Sequence, residues 1–82
     1  MGRIAQKLKI KSRVHVWRAE KRISQQELAD AIDVTRATIN AIESGDYNPS
    51  LELAFRLARY FAVGIEELFS IDEEAKSGKR RS

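Results

Sequence analysis

Ser24-Gln25-Gln26-Glu27-Leu28-Ala29-Asp30-Ala31-Ile32-Asp33-Val34-Thr35-Arg36-Ala37-Thr38-Ile39-Asn40-Ala41-Ile42-Glu43 reads as two short helices with a tight turn between them. Each helix carries its own start signal. Ser24 and Glu27 have the spacing of a capping box, in which each side chain takes the other residue's backbone N–H. Leu28, Ala31 and Ile32 then recur at helical intervals, with Ala29 beside them. Asp33 stops the first helix, because Asp tolerates a left-handed turn better than most residues. Val34 is a lone hydrophobe inside the turn, placed to plug a core. Thr35 caps the second helix, whose apolar stripe is Ile39 and Ile42, with the small Ala41 alongside. Helices joined by so short a connection cross at about 8–10 Å, so Ala29 is expected at a crossing with no room for a larger side chain.

Outward from this pair, the pattern predicts three more helices. A helix from about Arg13 to Lys21, with Ser12 as its N-cap, accounts for Val14, Trp17, Arg18 and Lys21. Leu8, Ile10, Val14 and Val16 also alternate as in a strand, but no partner strand is evident elsewhere in the chain. The arm from Ile4 to Lys11 is therefore expected either to lack fixed structure or to pair with a second subunit. Ser44-Gly45-Asp46-Tyr47-Asn48-Pro49 is dense in helix breakers and reads as a loop. Ser50 opens a fourth helix with Leu51, Ala54, Leu57, Ala58 and Phe61 on one stripe, and Gly64 is expected to end that unit. Ile65-Glu66-Glu67-Leu68-Phe69 predicts a short fifth helix. The expected division is a basic arm at 1–11, a folded domain at 12–71 and a charged, frayed tail at 72–82.

Composition narrows the class. Eighty-two residues make one small domain with one modest core. The absence of cysteine rules out disulfides and thiolate metal sites, which fits a cytoplasmic protein. The apolar runs fall far short of the ~20 residues that span a bilayer, and the basic N-terminus has no signal-peptide core. Net charge is +3, but it is distributed unevenly. Residues 1–22 hold eight cations against Glu20 alone, whereas residues 23–63 hold three cations against six acids. Positive potential is thus concentrated at the N-terminal end, where it suits a polyanion as well as it suits a solubilising tail.

Enzyme chemistry finds little support. His15 is the single histidine, and no nucleophile lies near it in sequence. Glu66-Glu67 and Glu73-Glu74 are adjacent pairs, expected to face apart or to lack fixed structure. No cofactor or metal site is expected. Two helices at a fixed crossing, the second with small polar side chains away from its core stripe, are instead the means by which a helix is offered to the DNA major groove.

At these residues the chain resembles the Cro and phage-repressor type of helix-turn-helix regulator, also called the xenobiotic-response-element family. The resemblance lies in Arg13-Val14, Arg18, Ile23 to Ala29, Val34 to Ile39, Ile42 to Gly45, Asn48 to Leu51 and Ile65 to Phe69, and covers about residues 11–70. It implies an all-α, compact five-helix bundle of the lambda-repressor-like type, with helix 35–44 in the major groove. It implies Gln25 against a DNA phosphate, base reading by Arg36, Ala37, Asn40 and Ala41, and flanking contacts from Thr35 and Thr38. The loop from Ser44 through Tyr47 to Asn48 would lie along the DNA backbone, and Arg18 would pair with Glu43. The chain departs from the family where Arg22 and Asp33 replace the usual turn glycines, and where Asp46 replaces a frequent loop cation.

The side chains suit those roles. The Arg36 guanidinium matches guanine O6 and N7, and Asn40 one turn later can pair with adenine. Ala37 and Thr38 let the helix approach closely, and the N-terminus of the preceding helix favours an anion near Gln25. A single recognition helix reads too few base pairs to be selective, so a homodimer is expected. Leu53, Phe55, Tyr60, Phe69 and Ile71 exceed the needs of the fourth helix's stripe and are the expected interface. The expected function is a sequence-specific repressor of transcription that binds double-stranded DNA. The alternative from a different class is an antitoxin that masks a toxin partner and represses its own operon with the same fold.

Overall fold

The computed structural model describes residues 8–72, so the expectations for 1–7 and 73–82 lie outside the described residues. The Ser24 hydroxyl accepts from the Glu27 N–H at 3.0 Å, and the Glu27 carboxylate accepts from the Ser24 N–H at 2.8 Å. This reciprocal cap opens α2 (Gln25–Ala31). Asp33 takes the left-handed conformation at φ 62°, and the Val34 N–H returns to the Ala29 carbonyl at 2.9 Å. The Thr35 hydroxyl then accepts from the Thr38 N–H, opening α3 (Arg36–Ser44). Both helices of the quoted stretch thus start and stop on the residues that the caps and the turn require.

Around them stand α1 (Val14–Lys21), α4 (Leu51–Phe61) and α5 (Ile65–Leu68). Val14, Leu28, Ala29, Ile39, Ile42, Leu57 and Leu68 form the innermost core, with Val34 packed against it from the turn. Apolar side chains from all five helices converge here, and their burial is the main force holding α2 and α3 at a fixed angle. Arg56 adds a polar tie from α4. One guanidinium nitrogen donates to the Ile32 carbonyl at the end of α2 at 2.9 Å, and another pairs with Glu52 at 2.9 Å.

Four expectations need correction. The fold is not strictly all-α: β1 (Ile10–Ser12) and β2 (Phe69–Ile71) form an antiparallel pair with Ile10 opposite Ile71 and Ser12 opposite Phe69. Ile10 and Lys11 therefore pair within the chain rather than needing a second subunit. Flanking bonds from the Arg13 N–H to the Leu68 carbonyl and from the Asp72 N–H to the Lys9 carbonyl, both 2.7 Å, extend the pairing. The partner strand was hidden because three residues are too few to show alternation, and they follow α5 directly. Two short strands alone are marginal. Here the sheet is anchored because the Trp17 indole N–H donates to the Glu67 carbonyl at 3.0 Å, joining α1 to α5.

The second correction is at the start of α1, where Arg13 is the N-cap and offers no side-chain cap. Ser12 still helps from one residue further out, its hydroxyl accepting from the Val14 N–H at 3.2 Å. Third, Ala54, Leu57, Ala58 and Phe61 of the expected α4 stripe are buried, but Leu51 is 72% exposed and Leu53 is buried in its stead. Leu53 is therefore core, and not surplus for an interface. Fourth, α4 ends at Ala62, which is left-handed at φ 59°, and Gly64 serves as the N-cap of α5. Phe69 leaves α5 to begin β2.

Candidate nucleic-acid interface

The helix α3 is two-faced. Ile39 and Ile42 are buried, while Arg36, Ala37 and Asn40 are exposed and Thr38 and Ala41 are half-buried. Thr35 is exposed at the helix start, its hydroxyl 2.9 Å from that of Thr38. The exposed face is thus small and polar for its first two turns, with nothing bulky standing ahead of the Arg36 and Asn40 side chains.

Gln25, at the first position of α2, reaches across to this face. Its Nε2 donates to Asn40 Oδ1 at 3.3 Å and to Glu43 Oε1 at 3.0 Å, while its Oε1 accepts from Arg36 Nε at 3.3 Å. Three of the expected contact residues are therefore one hydrogen-bonded cluster. The sequence offers each of them singly but not the link, because residues 11 and 15 positions apart leave no periodic trace.

Behind the cluster lies the expected ion pair. Arg18 Nε and Nη2 donate to the two Glu43 oxygens at 2.8 and 3.2 Å, and Arg18 Nη1 donates to the Ile23 carbonyl at 3.0 Å. The side chains of Arg18 and Glu43 are 22% and 9% exposed. The hydrogen bond to the Glu43 carboxylate raises the Arg18 pKa, against the opposing effect of burial. The pair joins α1 to α3 and holds an acceptor-only group beside Gln25.

The loop after α3 is separate from the cluster. The single Ser44 hydroxyl hydrogen has two acceptors within reach, the Ala41 carbonyl at 3.2 Å and Asp46 Oδ2 at 3.1 Å. Gly45 closes the helix at φ 86°, a conformation a side chain would strain. Tyr47 and Asn48 are exposed and line a shallow depression with Leu8, Lys9 and Ile10. The chain thus enters β1 beside this loop, and places Lys9 next to it. That juxtaposition needs the β1–β2 pairing and is invisible in the sequence. Among the described residues there is no group of three or more His, Asp or Glu side chains able to hold a metal, and no helix long and apolar enough to cross a membrane.

Residues 15–68 match the family model for the helix-turn-helix, HTH_3. An uncharacterized HTH-type transcriptional regulator of Archaeoglobus fulgidus is 44% identical over 70 residues, covering 85% of this chain and all of its own length. The cryptic phage CTXphi transcriptional repressor RstR of Vibrio cholerae is 38% identical over 71 residues, covering 80% of this chain and 64% of its own. Among solved structures, a protein of Bacteroides fragilis aligns with TM-score 0.68 and 26% identity over 74% of this chain and 98% of that one. The chain belongs to the Cro/C1-type helix-turn-helix family of transcriptional regulators, with a domain that binds double-stranded DNA.

Proposed function

We propose that the protein is a sequence-specific repressor that binds as a homodimer and inserts α3 into the major groove. The observation that carries this reading is the polarity of α3: Ile39 and Ile42 anchor it in the core, and Arg36, Ala37 and Asn40 stand exposed on the other side. Arg36 and Asn40 then meet base edges, with Ala37 and Ala41 allowing close approach. Gln25, Thr35, Thr38, Ser44, Tyr47 and Asn48 meet phosphates and sugars, which set register without reading sequence. Lys9 beside the loop supplies positive charge that Asp46 does not. Repression is the reading favoured by the likeness to the phage repressor of Vibrio cholerae.

For the dimer, the support is apolar surface on α4 and beyond: Leu51, Phe55 and Ile71 are exposed. A groove beside Phe55 brings Ala62, Val63 and Ile65 together with the charged Glu52, Arg56, Arg59 and Glu67. Two-fold pairing would set two copies of α3 on half-sites about one helical turn apart. Selection of bound sequences from a random duplex pool tests both parts. An inverted repeat with that spacing is the expected result. A bound pool with no consensus refutes sequence-specific reading, and a lone half-site bound by a monomer of concentration-independent mass refutes the dimer.

A further inference from the structure

The short sheet fixes where the basic start of the chain meets the fold. The Asp72 N–H donates to the Lys9 carbonyl and the Arg13 N–H to the Leu68 carbonyl, both at 2.7 Å, so β1 is held at its two ends. Lys9 and Ile10 then form one wall of a depression whose other wall is Asp46, Tyr47 and Asn48. Ahead of Leu8, residues 1–7 contain Arg3, Gln6 and Lys7 and no acid. The loop from Ser44 to Asn48 contributes Asp46 and no cation. Each backbone strand of duplex DNA separates the major groove from the minor groove. With α3 in the major groove and the loop on the strand that bounds it, the cationic sequence ahead of Leu8 is left with the minor groove on the far side. Arg3 lies six positions before Lys9, a reach of up to about 20 Å against a minor groove about 6 Å wide.

We propose that residues 1–7 bind the minor groove beside the half-site, where Arg3 gives the protein a preference for A·T pairs. Tracts of A·T narrow the minor groove and strengthen its negative potential, which draws in an arginine. A G·C pair instead places the guanine N2 amino group in that groove, a donor facing the guanidinium's own donors. Arginine suits this role better than lysine because its guanidinium is more weakly hydrated, and loses water at less cost on entering a narrow groove. Lys7 and Lys9 meet phosphates on the strand between the two grooves. The inference rests on the major-groove reading of α3 proposed above, and adds a second stretch of base pairs to what each copy reads.

The test is a binding titration of the full chain on the selected duplex. The pairs adjoining each half-site are set to A·T, G·C or inosine·cytosine, first between the half-sites and then outside them. Inosine lacks the N2 amino group, so I·C resembles A·T in the minor groove and G·C in the major groove. In one of the two stretches, A·T and I·C should bind about fivefold tighter than G·C. Arg3→Gln should abolish that difference and leave the preference at the pairs read by α3 unchanged, which also shows the fold intact. Arg3→Lys keeps the charge, and should keep the salt slope while narrowing the difference to about twofold. Equal affinity for all three duplexes in both stretches overturns the inference. So does I·C behaving as G·C, which places the reading in the major groove. A preference that survives Arg3→Gln overturns it too, by assigning the effect to the deformability of the DNA. Failure to enrich any duplex in the selection overturns the DNA-reading proposal itself, a distinct result.

Discussion

The Arg18–Glu43 pair makes the sharpest energetic demand on this fold, and a double-mutant cycle measures it. Glu43→Ala leaves a guanidinium with one remaining partner, the Ile23 carbonyl, in a position 22% exposed. Removing one partner of a fully buried pair costs about 3–5 kcal/mol; partial access of water to Arg18 lowers the expected loss to about 2–3 kcal/mol. Arg18→Ala leaves Glu43, only 9% exposed, with the single donor Gln25, and about 3 kcal/mol is expected. In Arg18→Ala/Glu43→Ala neither charge is stranded, so the double variant should lose about 2 kcal/mol less than the sum of the singles. For a domain of this size each kcal/mol shifts Tm by about 4–8 °C, so Glu43→Ala should melt roughly 10–20 °C lower. Urea unfolding followed by circular dichroism supplies the free energies, and thermal scans the Tm values. If the singles add to within about 0.5 kcal/mol, the two residues are not coupled and the account of a mutually satisfied pair is wrong.

Other perturbations probe the crossing, the turns and the interface. Ala29→Leu places a larger side chain at a fully buried position, and should cost about 1–3 kcal/mol in denaturant titrations; an unchanged midpoint would show that α2 and α3 do not meet there. Ala62→Gly relieves a left-handed residue at φ 59°, and should raise stability by about 0.5–1 kcal/mol after allowing for the freer unfolded chain. A lower Tm would show that the Ala62 methyl contributes packing. Arg36→Ala should weaken binding to the selected site by about 1–3 kcal/mol and relax one base pair; equal losses on selected and random duplex by fluorescence anisotropy would limit Arg36 to phosphate. Replacing Arg3, Lys7, Lys9 and Lys11 with Gln keeps the β1 backbone and should flatten the slope of log K against log salt, by about 0.9 for each phosphate that is no longer neutralised. An unchanged slope would remove this segment from the interface.

Local signals account for most of what could be read without coordinates. The caps at Ser24, Thr35 and Ser50 and the turn at Asp33 each depend on atoms within three or four residues, so the sequence shows them directly. The stripe of α3 is equally legible, because Ile39 and Ile42 can face the core only if Arg36 and Asn40 face away from it. Where two solutions are locally equivalent, the chain alone does not choose. Leu51 and Leu53 are both apolar, and only the direction from which the other helices approach α4 decides that Leu53 is buried. Ala62 and Gly64 are alternative stops for α4, and packing selected the less favoured one.

What the amino-acid order determined by itself is the helix-turn-helix: two capped helices, a short connection and an outward polar face, all specified by short-range hydrogen bonding and periodic burial. What tertiary structure alone decided lies at long range. The pairing of Ile10–Ser12 with Phe69–Ile71 and the convergence of Arg18, Gln25, Arg36, Asn40 and Glu43 join residues that no local rule connects. They meet because closing the apolar core brings α1, α2 and α3 together and returns α5 to the start of the chain. Once that core is closed, the acceptor-only Glu43 and the donor-only guanidiniums of Arg18 and Arg36 leave Gln25 a single orientation.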